Sequence, residues 1–144
     1  MSLDLGKKFL SQKNFKDAEK IFLDLNKNNN NFEINYNLAI INFELKNIKK
    51  SLKFFDKCKK IDSKSLNTYL KIAYLEQSIG DIEKSLSTYL KVLDINIRDI
   101  RAYYGIFTLK PNFLKTSHFE IIKQINDNPN ANILEKFLSE FLLS

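Results

Sequence analysis

Tryptophan is absent from this chain of 144 residues; cysteine, histidine and methionine occur once each, proline twice and glycine three times. Each scarcity removes a class of protein. The single cysteine, Cys58, excludes an internal disulfide framework and fits a reducing compartment. With His118 as the only histidine, no His–Cys set at metal-ligand spacing exists, and no metal is expected. Gly6, Gly80 and Gly105 are scattered and form no phosphate cradle, so no cofactor is expected either. Carboxylates such as Glu76 and Asp81 are near each other only as acidic residues on solvated helices often are. No catalytic constellation remains, and the chain reads as non-enzymatic. The longest unbroken apolar runs, such as Leu38–Ile41, are far too short to span a bilayer. The N-terminus carries Asp4, Lys7 and Lys8 with no apolar h-region, so no secretory signal is expected and a cytoplasmic location follows.

Few glycines and prolines also mean few obligatory breaks. With 44% hydrophobic and 28% charged residues, the composition suits one helical domain and leaves no room for a second sizeable core. The clearest element is Leu66 to Asp99. Tyr69, Ile72, Ala73 and Leu75 mark one amphipathic helix; Ile82, Ser85, Leu86, Tyr89, Leu90, Val92 and Leu93 mark a second. Spacings of three and four put each set on one helical face. Gly80 ends the first helix where a left-handed conformation is easiest, and Asp81 can cap the amide donors of the second.

This unit recurs upstream. Aligning Ser85 with Ser51 places Tyr69 on Asn35, Ile72 on Leu38, Ala73 on Ala39, Ile82 on Ile48, Tyr89 on Phe55 and Val92 on Cys58. A further step, shortened by one residue in the asparagine tract, lands on Ala18 and brings Leu5, Gly6, Phe9, Phe15, Phe22 and Leu25 into register. The large–small pairs Leu5-Gly6, Leu38-Ala39 and Ile72-Ala73 mark the first helices. Small residues (Ala18, Ser51, Ser85), each followed four residues later by an aromatic (Phe22, Phe55, Tyr89), mark the second. Small side chains there let the paired helices approach closely. The serine hydroxyls are expected to bond back to a carbonyl one turn earlier in their own helix.

A helix pair repeating at about 34 residues resembles the tetratricopeptide repeat family. The resemblance covers roughly residues 2 to 110, although the family's tryptophan is missing and its closing proline is replaced by Asn30, Ser63 and Ile97. It implies an all-α fold, a right-handed helical solenoid of antiparallel helix pairs. One domain over 1–144 is expected, with repeats at about 2–31, 32–65 and 66–99, then a degenerate fourth repeat and a closing helix in 100–144. Along the chain, Ser2 caps a helix running to about Lys13, and Asn14 with Asp17 starts the next. The Asn28–Asn31 tract reads as a turn of left-handed-tolerant residues with no further role. Ser65 opens the third repeat. Ile100–Leu109 reads as a first helix with Tyr103, Ile106 and Phe107 inward, stopped by Pro111. Ser117 with Glu120 has capping-box spacing for a helix to about Asp127, and His118 beside them reads as a surface residue. Asn132 with Glu135 repeats the device before Ile133–Leu143.

The net charge of +6 is unevenly spread. Residues 32–65 hold eight lysines against four acids, whereas 66–99 hold four basic residues against five acids. Lys46, Lys49, Lys50, Lys53, Lys57 and Lys60 follow helical spacing. Such a stripe suits nucleic acid, an acidic protein or an anionic membrane. Its ordinary reading, preferred here, is the solvated face of an amphipathic helix. With Arg98 and Arg101 the only arginines, nucleic acid is not expected as a partner, because base reading leans on guanidinium.

The resemblance also implies a site. In the family, first helices of successive repeats line a concave groove that holds peptides, which puts Lys7, Tyr36, Asn37, Ile40, Phe43, Leu70, Lys71, Tyr74, Arg101 and Tyr104 toward it. Tyrosines there are candidate anchors, since they bury area at low entropy cost. Ile40 and Leu70 fit packing between repeats equally well. The carboxylate clamp of some family members is matched at Asn37 and Lys71 but not at Leu3, Lys7 and Asn67, so a chaperone-tail clamp is not expected. The function implied is a non-catalytic interaction module or scaffold for a protein or peptide partner. An alternative comes from YYGIFTLKPNFLKTSHFEIIKQ and ILEKFLSEFLLS, similar to the segment preceding the catalytic domain in bacterial repeat proteins that carry a sulfotransferase. The chain would then be the repeat segment of a larger transferase whose catalytic domain lies outside it. Finally, Ile133, Leu134, Phe137, Leu138, Phe141, Leu142 and Leu143 give the last helix more apolar surface than one packing face needs. Exposure of part of it, and self-association or cover by a neighbour, are expected.

Overall fold

The computed structural model describes residues 2–144, which form nine α-helices and one short 3-10 turn with no strand among them. The all-α class expected from the sequence is the one observed. The chain divides into two compact units, the first reaching to Thr68 and the second running Tyr69–Ser144, so the border lies inside one helix.

The first unit contains α1 (Leu3–Ser11), α2 (Phe15–Asn28), α3 (Phe32–Glu44), α4 (Ile48–Ile61) and the first turn of α5 (Leu66–Ser78). All of its helix starts except that of α4 carry a side-chain cap. Ser2 Oγ accepts from Leu5 N–H at 3.2 Å, and Asn31 Oδ1 accepts from Ile34 N–H at 2.9 Å. Ser65 Oγ accepts from both the amide and the hydroxyl of Thr68. α1 therefore ends two residues before the expected Lys13, because Lys13 itself turns the chain with φ 57°. Lys46 does the same with φ 62° in the matching turn before α4. The asparagine tract is not where left-handed backbone is spent. Asn31 instead caps α3, and Asn30 Oδ1 accepts from the buried Asn35 amide at 2.6 Å.

Packing within this unit follows the large–small pattern. A Cβ added at Gly6 would stand 2.9 Å from the Phe22 ring, so α1 touches α2 where glycine permits it. Ser51 Oγ donates to the carbonyl of Ala39 at 2.7 Å. This corrects the expected bond within its own helix: the close approach at Ala39 brings a carbonyl of α3 nearer than one in α4. The contacts Ser51–Ala39, Phe55–Tyr36 and Cys58–Phe32 step in opposite directions along the two helices, which therefore run antiparallel. Ala18, Phe22, Leu38, Ala39, Ile41, Phe55 and Cys58 are buried in this unit.

The second unit holds the rest of α5, then α6 (Ile82–Ile95), α7 (Ile100–Leu109), α8 (Thr116–Asn126) and α9 (Ile133–Leu143). Gly80 turns with φ 81° and Asp81 caps α6 through the Lys84 amide, both as expected. Ser85 Oγ repeats the cross-helix bond, donating to Ala73 O at 2.7 Å. Gly105 lies so close to Tyr89 that an added Cβ would meet its ring at 2.3 Å, which sets how near α7 comes to α6. Tyr103 and Ile106 are fully buried, while Phe107 is half-buried. The start of α8 differs from expectation. The cap is at Lys115, whose amide donates to His118 Nδ1 at 2.9 Å, rather than at Ser117 with Glu120. The imidazole is also half-buried, 6.0 Å from the Tyr103 ring, so His118 is not a plain surface residue. Asn132 and Glu135 form the reciprocal capping box of α9 as expected, at 2.9 and 2.8 Å.

Candidate functional site

The ten residues assigned to the groove all sit on α1, α3, α5 and α7, the first helices of the pairs. Within the first unit most of them already have partners. The Lys7 ammonium meets the Glu33 carboxylate at 2.6 Å, and that hydrogen bond and charge hold the lysine above its ordinary pKa. The Asn37 amide donates to the Glu33 carbonyl one turn back. Tyr36 stacks on Phe32 at 5.7 Å and meets Phe55 edge-on at 5.5 Å, and burial pushes its hydroxyl pKa up. It packs the helix pair together. Ile40 and Phe43 are half-buried, and the Lys46 ammonium lies 5.6 Å from the Phe43 ring.

The second unit is different. Tyr74 is 53% exposed and Tyr104 38%, although both are large aromatics on first helices. Leu70 is half-buried and Lys71 exposed. Arg101 does not project as a lone cation: Asp99 grips it through Nε–Oδ1 at 2.9 Å and Nη2–Oδ2 at 2.6 Å. The same Asp99 carboxylate caps α7 by accepting from the Arg101 amide, and it is itself buried. Arg101 thus serves chiefly to neutralise a buried capping carboxylate.

Two aromatics outside the assigned set join this face. Phe141 of α9 meets Tyr104 edge-on at 5.7 Å and Phe107 at 6.1 Å, and Phe137 lies one turn before it, 65% exposed. The Tyr89 hydroxyl is raised in pKa first by burial and then by the nearby Tyr74, and its ring rests against Gly105 beside Tyr104. Tyr104, Phe141 and Phe137 form an aromatic patch on α7 and α9, and Tyr74 is a further exposed aromatic of the second unit. The apolar surplus of the last helix signalled Phe137 and Phe141; their place beside Tyr104 depends on how α9 packs against α7 and was not readable.

Among the described residues no group of three or more His, Cys, Asp or Glu could hold a metal ion. Cys58 is buried between α3 and α4, and desolvation pushes its thiol up to about 11, which leaves it a poor nucleophile. No helix among the described residues is long and apolar enough to cross a membrane.

The sequence pattern described as Tetratricopeptide repeat matches residues 32–65 and 66–96. Among curated proteins, none matches the chain in sequence. Solved structures of similar fold include MamA, with a TM-score of 0.72 at 21% identity, covering 85% of this chain and 72% of that one. The first TPR of Spaghetti (RPAP3), bound to the HSP90 peptide SRMEEVD, gives a TM-score of 0.68 at 14% identity over 76% of this chain and 88% of that one. YrrB, a TPR protein with an unusual peptide-binding site, gives 0.69 at 14% identity over 94% and 71%. At these identities the likeness is one of fold.

Proposed function

We propose, for a chain whose residues 32–65 and 66–96 match the tetratricopeptide repeat, that it is a non-catalytic module holding a peptide or partner protein on the first-helix faces. The observation that carries this reading is that the aromatics Tyr74, Tyr104, Phe137 and Phe141 of the second unit are all exposed, with Tyr104 and Phe141 in ring contact. Rings left accessible on a packed scaffold bury area against a partner with few torsions to freeze. Two of the similar structures are described as peptide-binding, which supports the same use here. Because Arg101 is held by Asp99, the face is better suited to apolar side chains of a ligand than to a carboxylate tail. Peptides selected from a random library on the intact chain should carry apolar or aromatic anchors. Tyr74→Ala and Tyr104→Ala should each weaken the selected peptide by more than about 1 kcal/mol. Equal binding by the double variant would defeat the assignment, above all if Lys49 and Lys53 variants lost it instead.

A second reading concerns the last helix. Ile133 is 90% exposed and Leu134 50%, continuing the apolar stripe of Phe137 and Phe141 on α9. Contiguous exposed apolar surface marks a contact site, and the chain is expected to self-associate through it. Sedimentation over a wide concentration range should show dimers that an Ile133→Glu, Leu134→Glu variant abolishes. A wild type that stays monomeric throughout would remove this reading.

A further inference from the structure

The first unit carries a feature that peptide binding does not use. Residues 46–61 hold seven lysines against Asp56 alone, a balance of +6 that equals the net charge of the whole chain. At 100° per residue, Lys49, Lys50, Lys53, Lys57 and Lys60 fall within an arc of about 100°, on the side of α4 away from its buried Ser51, Phe54, Phe55 and Cys58, while Lys46 stands in the turn before the helix. From Lys49 to Lys60 the stripe is about 17 Å long at 1.5 Å per residue. Lys50 pairs with Glu19 of α2 at 3.1 Å, which shows that α2 lies beside α4, and Lys57 rests 5.1 Å from the Phe54 ring. Lys49, Lys53 and Lys60 are exposed and have no ion pair among the described residues. In the matching places of the repeat, α2 presents Lys16, Lys20 and Lys27, also exposed, the latter two paired with Asp17 and Asp24. α6 has Glu83, Ser87 and Asp94 there, so the lysines are no requirement of the repeat.

We infer that this face docks the protein onto an anionic lipid bilayer. Charge complementarity calls for a polyanion, and the form of the patch selects which. Lysines spread over about 100° on flexible stems, and continued onto a neighbouring helix, can all reach a plane. They offer no guanidinium fork for base edges, and the aromatics of α4, Phe54 and Phe55, are buried and cannot stack bases. The apolar side of α4 is committed to the core, so adsorption is electrostatic, without insertion, and each lysine near an anionic surface contributes.

The test is flotation of the full chain with phosphatidylcholine vesicles containing about a third phosphatidylserine, beside pure phosphatidylcholine. Binding is expected to the anionic vesicles only, at low salt, and to fade as added salt shortens the screening length. Lys49→Glu, Lys53→Glu, Lys60→Glu should bind more than about tenfold more weakly. Lys8→Glu, Lys64→Glu, Lys91→Glu changes net charge equally and should stay within about threefold of wild type, with helical circular dichroism confirming that both variants fold. No binding to anionic vesicles would overturn the inference, and so would equal losses in the two variants. Tighter binding of a single-stranded RNA oligomer through the same three lysines would also overturn it, by making nucleic acid the occupant.

Discussion

Three residues carry the same backbone duty, the left-handed position in the turn between paired helices, yet only Gly80 is of the type that adopts it freely. Lys13 and Lys46 hold φ of 57° and 62° against the clash of their own Cβ. Replacing Lys46 by glycine should therefore raise stability by about 1 kcal/mol, read as a shift in the denaturant midpoint. Gly80→Ala should lower it by a similar amount. Cys58 supplies a second residue-scale test. Its thiol is raised from the ordinary 9.0 to about 11 by burial, so the folded state favours the neutral form. That contribution is complete below pH 9 and is lost as pH rises through 11, at a cost on the order of 2 kcal/mol. Cys58→Val, which copies the buried Val92 of the next repeat, should remove this alkaline loss. Iodoacetamide at pH 8 should leave native Cys58 unmodified and alkylate the unfolded chain.

At the scale of elements, most helix starts were legible because each is a local bargain between a short polar side chain and amides two or three residues on. Ser2, Asn14, Asp81 and Asn132 were all readable for that reason. The start of α8 was not, since His118 Nδ1 takes the place of the usual carboxylate or amide and lies against Tyr103, a contact from outside the segment. The small residues announced close helix contacts but not what they bond to. Only the packed pair shows that Ser51 and Ser85 reach across to Ala39 and Ala73. Ser51→Leu and Ser85→Leu should each cost about 1–3 kcal/mol by overpacking these contacts. Lys53→Leu on the exposed side of α4 should stay within about 0.5 kcal/mol. Equal effects at all three positions would mean that the helix faces are assigned wrongly.

For the whole molecule, periodicity was enough to read an all-α repeat fold, because the 34-residue step repeats both helix faces and turns. The candidate site was only half readable. Repeat register gives which residues stand on first helices, but it cannot say which of them the rest of the fold consumes. Lys7 is taken by Glu33, Tyr36 by Phe32 and Phe55, and Arg101 by Asp99. Phe137 and Phe141 enter the face only because α9 packs on α7. Beside Lys71, what remains accessible is aromatic and lies in the second unit, and the partner is expected to bind there. The most direct test is a backbone amide NMR map of the chain with and without a library-selected peptide. The largest shift changes are expected to cluster around Tyr74, Tyr104, Phe137 and Phe141, with α4 unmoved. Changes concentrated on Lys49, Lys53 and Lys60 instead, with the aromatic face silent, would contradict it.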